Sequence, residues 1–331
     1  MTQPAPAAPA QAKLRNKWLV LVVLSIGNIM TTLDGSMVNV SYPALADAFN
    51  TDTSNILWAT VAYWVTSVSL LLTMGWIGDV FGRGRVFTSG FVVFTVGVAL
   101  SGLAVNFPLF LAARFIQAFG GAMVLSNLNA IITGSFPAEE RGKALGVSAA
   151  IVGMGLTLGP LLGGVLLDLF DWRAVFLARA PLGLVGVVMA WKFVSRTVPG
   201  GARYKFDYIG ALALFASMAS VLLCINRGGK LGFTSPVVIA CAVAAAVFVP
   251  FMVWTQMRSP RPILDFSLFK DRSYLFSLLS IQGHYMAYGA IILLAPFFFL
   301  DALEFSPTRM GLFISAFFVG RTVVGPMAGS L

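Results

Sequence analysis

Asp34 is a lone carboxylate deep inside an apolar run that covers residues 18–42. An ionised acid at the middle of a membrane helix costs about 2.5–3.5 kcal/mol on insertion scales, so such a residue marks a function by default. On a helical wheel Gly27, Asn28, Thr31, Thr32, Asp34, Gly35, Asn39 and Tyr42 cover one half of this run, and Ile26, Ile29, Leu33, Met37 and Val40 cover the other. That division predicts one side on a wet cavity and one side on apolar neighbours. A carboxylate set between burial and a nearby cation can take up and release protons; it can also simply lock one helix to another. Arg114 is the candidate cation. Counting about 1.5 Å per residue, Asp34 and Arg114 both fall roughly 9–12 Å below the same membrane face, a depth at which they can pair. Gln117 and Asn129 lie near the face of Arg114.

Other polar residues within apolar runs are fewer. Arg179 reaches a similar depth in a later run, where it serves either as a structural partner for an acid or as a substrate-site feature. Ser277, Ser280, His284 and Tyr288 recur at helical spacing, with Gln282 and Tyr285 nearby, and form a stripe suited to a cavity wall or to helix packing. The two cysteines, Cys224 and Cys241, sit in apolar runs as packing residues, and with one histidine no metal spacing exists. No nucleophile–base pair and no Gly-rich phosphate loop stands out, so neither an enzyme nor a cofactor is expected.

The elements that position these residues are membrane helices. Hydrophobic residues make up 58% of 331 and charged residues 11%, against about 25% charged in a soluble domain. Runs of about 20 apolar residues recur and are long enough to span a bilayer. They fall near 18–42, 55–78, 86–105, 108–133, 142–168, 173–194, 208–225, 235–255, 274–300 and 309–331. The net charge of +9 does not point to nucleic acid, because the basic residues sit in short loops between the runs. With the N-terminus inside, fifteen of the 22 Lys and Arg are cytoplasmic and four are outside, an asymmetry that fixes orientation. Acidic headgroups of the lipid bilayer are the partner for those loops. Residues 1–17 read as a disordered cytoplasmic tail; the run after it is too long for a signal peptide. The division that follows is a six-span bundle over 18–198, a two-span insert with its linkers over 199–257, and the start of a second bundle over 258–331.

Four motifs sit on these spans in order. Gly75, Asp79, Gly82, Arg83 and Arg85 form a G-x-x-x-D-x-x-G-R-x-R pattern at the inner end of the second span. Leu33 to Val40 reads L-D-G-S-M-V-N-V, Arg114 to Ala122 reads R-F-I-Q-A-F-G-G-A, and Gly155, Gly159, Pro160, Gly163 and Gly164 punctuate the fifth span. Together they resemble the major facilitator superfamily, and within it the fourteen-span drug:proton antiporters. Ser36 stands where those proteins usually have Thr, Ala118 where they have Gly, and Arg179 where they usually have Asn. The resemblance implies an all-α integral membrane fold of two six-helix bundles with two linker spans. It also implies proton coupling at Asp34 and Arg114, with a substrate cavity reached by Asn28, Thr31, Asn39, Gln117, Asn129, His284 and Tyr288. The loop around Asp79 would act as a gate, and the fifth-span glycines would limit leak. The function implied is proton-driven export of small amphipathic drugs, dyes or metabolites from the bacterial inner membrane. Uptake or uniport of a nutrient, and a non-transporting fragment or sensor, are the rival readings. A periplasmic adaptor is a partner the sequence leaves open. The end, Gly325 to Leu331, resembles a second copy of the Gly75 signature cut short, with about four spans missing.

Overall fold

The computed structural model describes residues 17–195, 207–259, 262–296 and Leu303, and every regular element among them is helical. The helices are α1 (Lys17–Val40), α2 (Tyr42–Ala48), α3 (Thr53–Phe81), α4 (Arg83–Gly102), α5 (Phe107–Ser135), α6 (Ala138–Leu169), α7 (Trp172–Leu177), α8 (Ala180–Phe193), α9 (Tyr208–Leu231), α10 (Pro236–Arg258) and α11 (Arg272–Pro296). A 3-10 turn, Phe266–Lys270, precedes α11. The expected tail, the tenth predicted span and the second copy of the Gly75 signature lie outside the described residues, as do the side chains of Asn39, Pro160 and Tyr288.

Eight stretches among the described residues are long and apolar enough to cross a membrane, with α7 and α8 together forming one of them. The protein is therefore a multi-pass membrane protein. The helix α11 is long enough but is not one of the eight. Its stripe of Ser277, Ser280, Gln282 and His284 dilutes the apolar run.

Local sequence sets the ends of the helices. The Asn106 side chain accepts from the Leu109 amide and starts α5, and the Asp171 side chain accepts from the Arg173 and Ala174 amides and starts α7. Only Gly82 separates α3 from α4, at φ +99°, a conformation that glycine tolerates and L side chains do not.

The first eight helices form one bundle. In it α1 packs on α6, α8 and α5, while α4 lies along α5 and also meets α8, α7 and α3. Phe87, Phe91, Phe94, Phe110 and Phe176 fill the core and are fully buried. At one end Lys17 pairs with Glu140 at 2.5 Å and ties α1 to α6. At the other end Phe49, Phe110, Trp172 and Phe176 make an aromatic cluster, with ring centroids 5.1 Å apart for Phe49 and Trp172 and 5.6 Å for Phe110 and Phe176. The hairpin of α9 and α10 attaches to the bundle through α9, which packs on α3. Arg227 of α9 stacks on the ring of Trp58, 3.0 Å from its centroid. Most of α10 is exposed, as expected of a surface that faces lipid.

One predicted span is broken. The sixth run divides into α7 and α8 at Ala178 and Arg179 because Pro181 has no N–H to continue the ladder. The Arg179 amide bonds to Phe176 O at 3.1 Å, in the tighter i−3 pattern. Its side chain then takes the carbonyl left over, with Nε donating to Val175 O at 2.9 Å.

Candidate functional site

Asp34 is completely buried in the middle of the first bundle, between two guanidinium groups. Arg114 Nη1 donates to both its carboxylate oxygens, at 2.8 Å to Oδ2 and 3.1 Å to Oδ1. Arg179 Nη1 donates to Oδ1 at 2.8 Å. Neither arginine is exposed by more than 3%. The depth argument brought Asp34 and Arg114 to one level, and in the bundle they meet. Arg179, left undecided by the sequence, is the second partner.

The surroundings of the two cations differ. Arg114 also donates to Gln117 Oε1 at 2.6 Å and lies over the ring of Tyr63, 4.4 Å from its centroid. Arg179 has the carbonyl of its own turn and lies over the ring of Phe176, 5.4 Å from its centroid. Arg114 Nε, Arg179 Nη2 and Gln117 Nε2 find no acceptor among the described residues. One carboxylate facing two guanidiniums leaves the buried cluster one positive charge in excess, an arrangement with a large desolvation cost and so poorly suited to a purely structural lock.

The other expected cavity residues separate into groups. Asn28 is buried, and its Nδ2 donates to Ser148 Oγ at 3.0 Å and Ser148 O at 3.3 Å, tying α1 to α6. Thr31 bonds back to Asn28 O at 2.9 Å within its own helix. Asn28 thus sits in the seam between α1 and α6, Thr31 is satisfied within α1, and both are buried. Asn129 is exposed on α5, and the buried asparagine of that helix is Asn127, which donates to Met74 O at 3.3 Å and joins α5 to α3. His284 is exposed on α11. The polar half of the first span was read as facing water; part of it is satisfied by a neighbouring helix.

The glycine motifs are packing devices in this arrangement. A Cβ at Gly159 would collide with Ser36 of α1, one at Gly163 would come within 3.0 Å of Met37 O, and one at Gly155 within 3.0 Å of Thr32. Gly164 points into open space. In the loop signature Asp79 pairs with Arg83 at 2.6 Å across the Gly82 turn, and both are partly exposed. Arg85 is exposed, and Gly75 has only the Ser126 side chain near it, 3.8 Å away.

Tyr63 and Asn127 were not read from the sequence. A signal existed for Tyr63: Tyr63 and Ser67 recur one turn apart in an apolar run, and Ser67 Oγ donates to Ala118 O at 3.1 Å.

The Asn28 bond can be tested directly. A double-mutant cycle with Asn28→Ala and Ser148→Ala, followed by thermal unfolding in detergent, should give a coupling of about 1 kcal/mol. Strict additivity would mean that the bond does not form.

Comparison with known proteins agrees with this architecture. The model of the Major Facilitator Superfamily matches residues 24–331. The chain is 30% identical over 319 residues to the riboflavin transporter RibZ of Clostridioides difficile, a match covering 96% of this chain and 68% of that protein. It is also 30% identical over 318 residues to the multidrug resistance protein Stp of Mycobacterium tuberculosis, covering 96% of this chain and 59% of Stp. Among solved structures the proton:xylose symporter XylE aligns with a TM-score of 0.59 at 15% identity, over 94% of this chain and 69% of XylE, a likeness of fold. With the family matched from the first span onward and the apolar helices folded in the same manner, the chain belongs to the major facilitator superfamily, a family of membrane transporters rather than enzymes.

Proposed function

We propose that this protein is a proton-coupled antiporter of the fourteen-span drug:proton type, exporting small amphipathic molecules across the cell membrane with its N-terminus in the cytoplasm. The observation that carries this reading is Asp34, a fully buried carboxylate held by Arg114 and Arg179 inside a membrane bundle. With Asp34 ionised the cluster carries one net positive charge; with Asp34 protonated it carries two. Two like charges in a medium of low dielectric repel strongly, so each protonation state favours a different arrangement of the surrounding helices. A proton that binds the inward and outward states unequally shifts the population between them, which is what coupling requires. The name of Stp, a multidrug resistance protein, supports export. Asn39, Asn129, His284 and Tyr288 are the candidates for substrate contact, together with Gln117 beside Arg114.

A second reading has its own support, because RibZ is named a riboflavin transporter and XylE a proton:xylose symporter. Both readings use the same proton site and differ in the sign of coupling. Native protein in proteoliposomes, an imposed pH gradient and a fluorescent cationic dye separate them. Antiport concentrates the dye in vesicles with an acidic interior and releases protons as the dye enters. Proton entry together with the solute would overturn export in favour of uptake.

The loop signature gives a further expectation. The Asp79–Arg83 pair is exposed, so Asp79→Asn should cost less than about 1 kcal/mol of stability. If the loop is a gate, transport should nevertheless fall several-fold at unchanged thermal stability. Normal transport by this variant would remove the gating role.

A further inference from the structure

We infer that Arg179 is a second counter-ion that competes with Arg114 for Asp34 and converts protonation of that carboxylate into movement at the joint between α7 and α8. The inference rests on the proposed reading of Asp34 as the proton site, and it adds how the proton is felt by the fold.

Three observations carry it. The first is charge: two buried guanidiniums share one carboxylate, both touching Oδ1, Arg114 at 3.1 Å and Arg179 at 2.8 Å. The second is inequality of alternatives. When Asp34 is neutral, Arg114 keeps Gln117 Oε1 at 2.6 Å and the face of Tyr63. Arg179 keeps the longer contacts, Val175 O of its own helix turn at 2.9 Å and the ring of Phe176 at 5.4 Å against 4.4 Å for Arg114 and Tyr63, while each guanidinium has one nitrogen without an acceptor among the described residues. Loss of the negative charge therefore releases Arg179 and leaves Arg114 in place. The third is location. Arg179 caps α8 at the break in the sixth span, where the ladder is already interrupted by Pro181.

The two sides of that break share α4 as a neighbour but otherwise have different partners. Trp172 and Phe176 of α7 belong to the aromatic cluster with Phe49 and Phe110, whereas α8 packs on α4 and α1. Arg179 spans the two, with its Nε on α7 at Val175 O and its Nη1 on α1 at Asp34. Release of the Asp34 contact frees α7 to turn relative to α8. The ionisable groups acting on Asp34 are Arg114 from α5 and Arg179 from the joint; Tyr63 of α3 and Tyr42 of α2 are the titratable side chains that feel its charge. The positions on either side of the break that report such a turn are Arg173 of α7, its side chain 41% exposed, and Leu184 of α8, 62% exposed.

The test uses the native transporter with Cys224 and Cys241 replaced by Ser and spin labels at Arg173→Cys and Leu184→Cys, about 17 Å apart along the span. Distances are measured by double electron–electron resonance. Acidification should shift the distance by a few ångström. Asp34→Asn, a permanent mimic of the protonated acid, should show the shifted distance at every pH. Arg179→Gln leaves a neutral one-to-one pair, so it should fold and show a single distance independent of pH. Arg179→Lys should restore the shift, which a merely structural residue would not require. An Arg179→Gln protein that shifts as the native one does, or a native distance unmoved by both acid and Asp34→Asn, would overturn the inference. Substrate-linked proton movement, measured in parallel, tests the underlying reading separately. If Asp34→Asn still moves protons, that reading fails; if it does not, and the distances stay fixed, only the role of Arg179 fails.

Discussion

Asp34→Asn is expected to reduce substrate-linked proton movement in proteoliposomes to the level of protein-free vesicles, and to destabilise the bundle more than any other single change in the buried cluster. The first effect follows from chemistry, because a carboxamide at that position neither takes up nor releases a proton. The second follows from the charge balance. The substitution leaves Arg114 and Arg179 buried with no counter-charge, and an uncompensated buried ion costs about 3–5 kcal/mol. The two effects separate in the double variant Asp34→Asn with Arg179→Gln. It retains one cation, still held by Gln117 Oε1 and the Tyr63 ring, so thermal stability should recover while coupled proton movement stays absent. Undiminished proton movement in the single variant would sink the role given to Asp34. A double variant no more stable than the single one would refute the charge argument.

Gly97→Ala should be a strongly damaging one-carbon addition in the bundle core. An added Cβ would lie 2.6 Å from both the Cα and the amide N of Gln117, and backbone cannot step aside as a flexible side chain can. Overpacking of this kind costs about 1–3 kcal/mol. The strain falls on the turn of α5 that carries Arg114 and Gln117, so proton coupling should decline along with stability. Thermal unfolding in detergent and the proteoliposome assay measure the two. Gly164→Ala is the control: nothing lies within 4 Å of its new carbon, and its unfolding temperature should be unchanged. Equal behaviour of the two variants would show that α4 and α5 are not in close contact at Gly97.

Depth along a helix was legible in the sequence because rise per residue is fixed; it brought Asp34 and Arg114 to one level, and they meet at 2.8 Å. Azimuth was less legible. On α5 Asn129 is exposed and Asn127 is buried, since two positions along a helix correspond to nearly opposite faces. Asn28 and Thr31 were read as cavity residues from the wheel of one helix. The surroundings of Asn28 depend on α6, whose glycines let it press against that side of α1, and Thr31 is satisfied by a carbonyl of its own helix. A wheel marks which face is polar and not whether water or another helix satisfies it. Arg179 resisted reading for a different reason. Its site depends on the break in the sixth span, and Pro181 was visible there, but a proline in a membrane helix does not reveal which way the freed turn will point. On α11 the stripe residues Ser277, Ser280 and His284 are exposed.

The stacking of Arg227 on Trp58 bears on how such a protein distributes its mass when it moves. The pair joins α9 to α3 at the far end of the hairpin from its α10 exit, and packing along α9 continues the attachment. A cleft of about 490 Å³ between α3, α5 and α9, lined by Trp58, Thr66, Phe115, Phe215 and Arg227, loosens that seam without parting it. The hairpin is thus cargo on the first bundle and not a free hinge. Any rocking of that bundle sweeps α10 through the surrounding lipid like an outrigger. The viscosity and lateral pressure of the bilayer would then act on the exposed surface of α10.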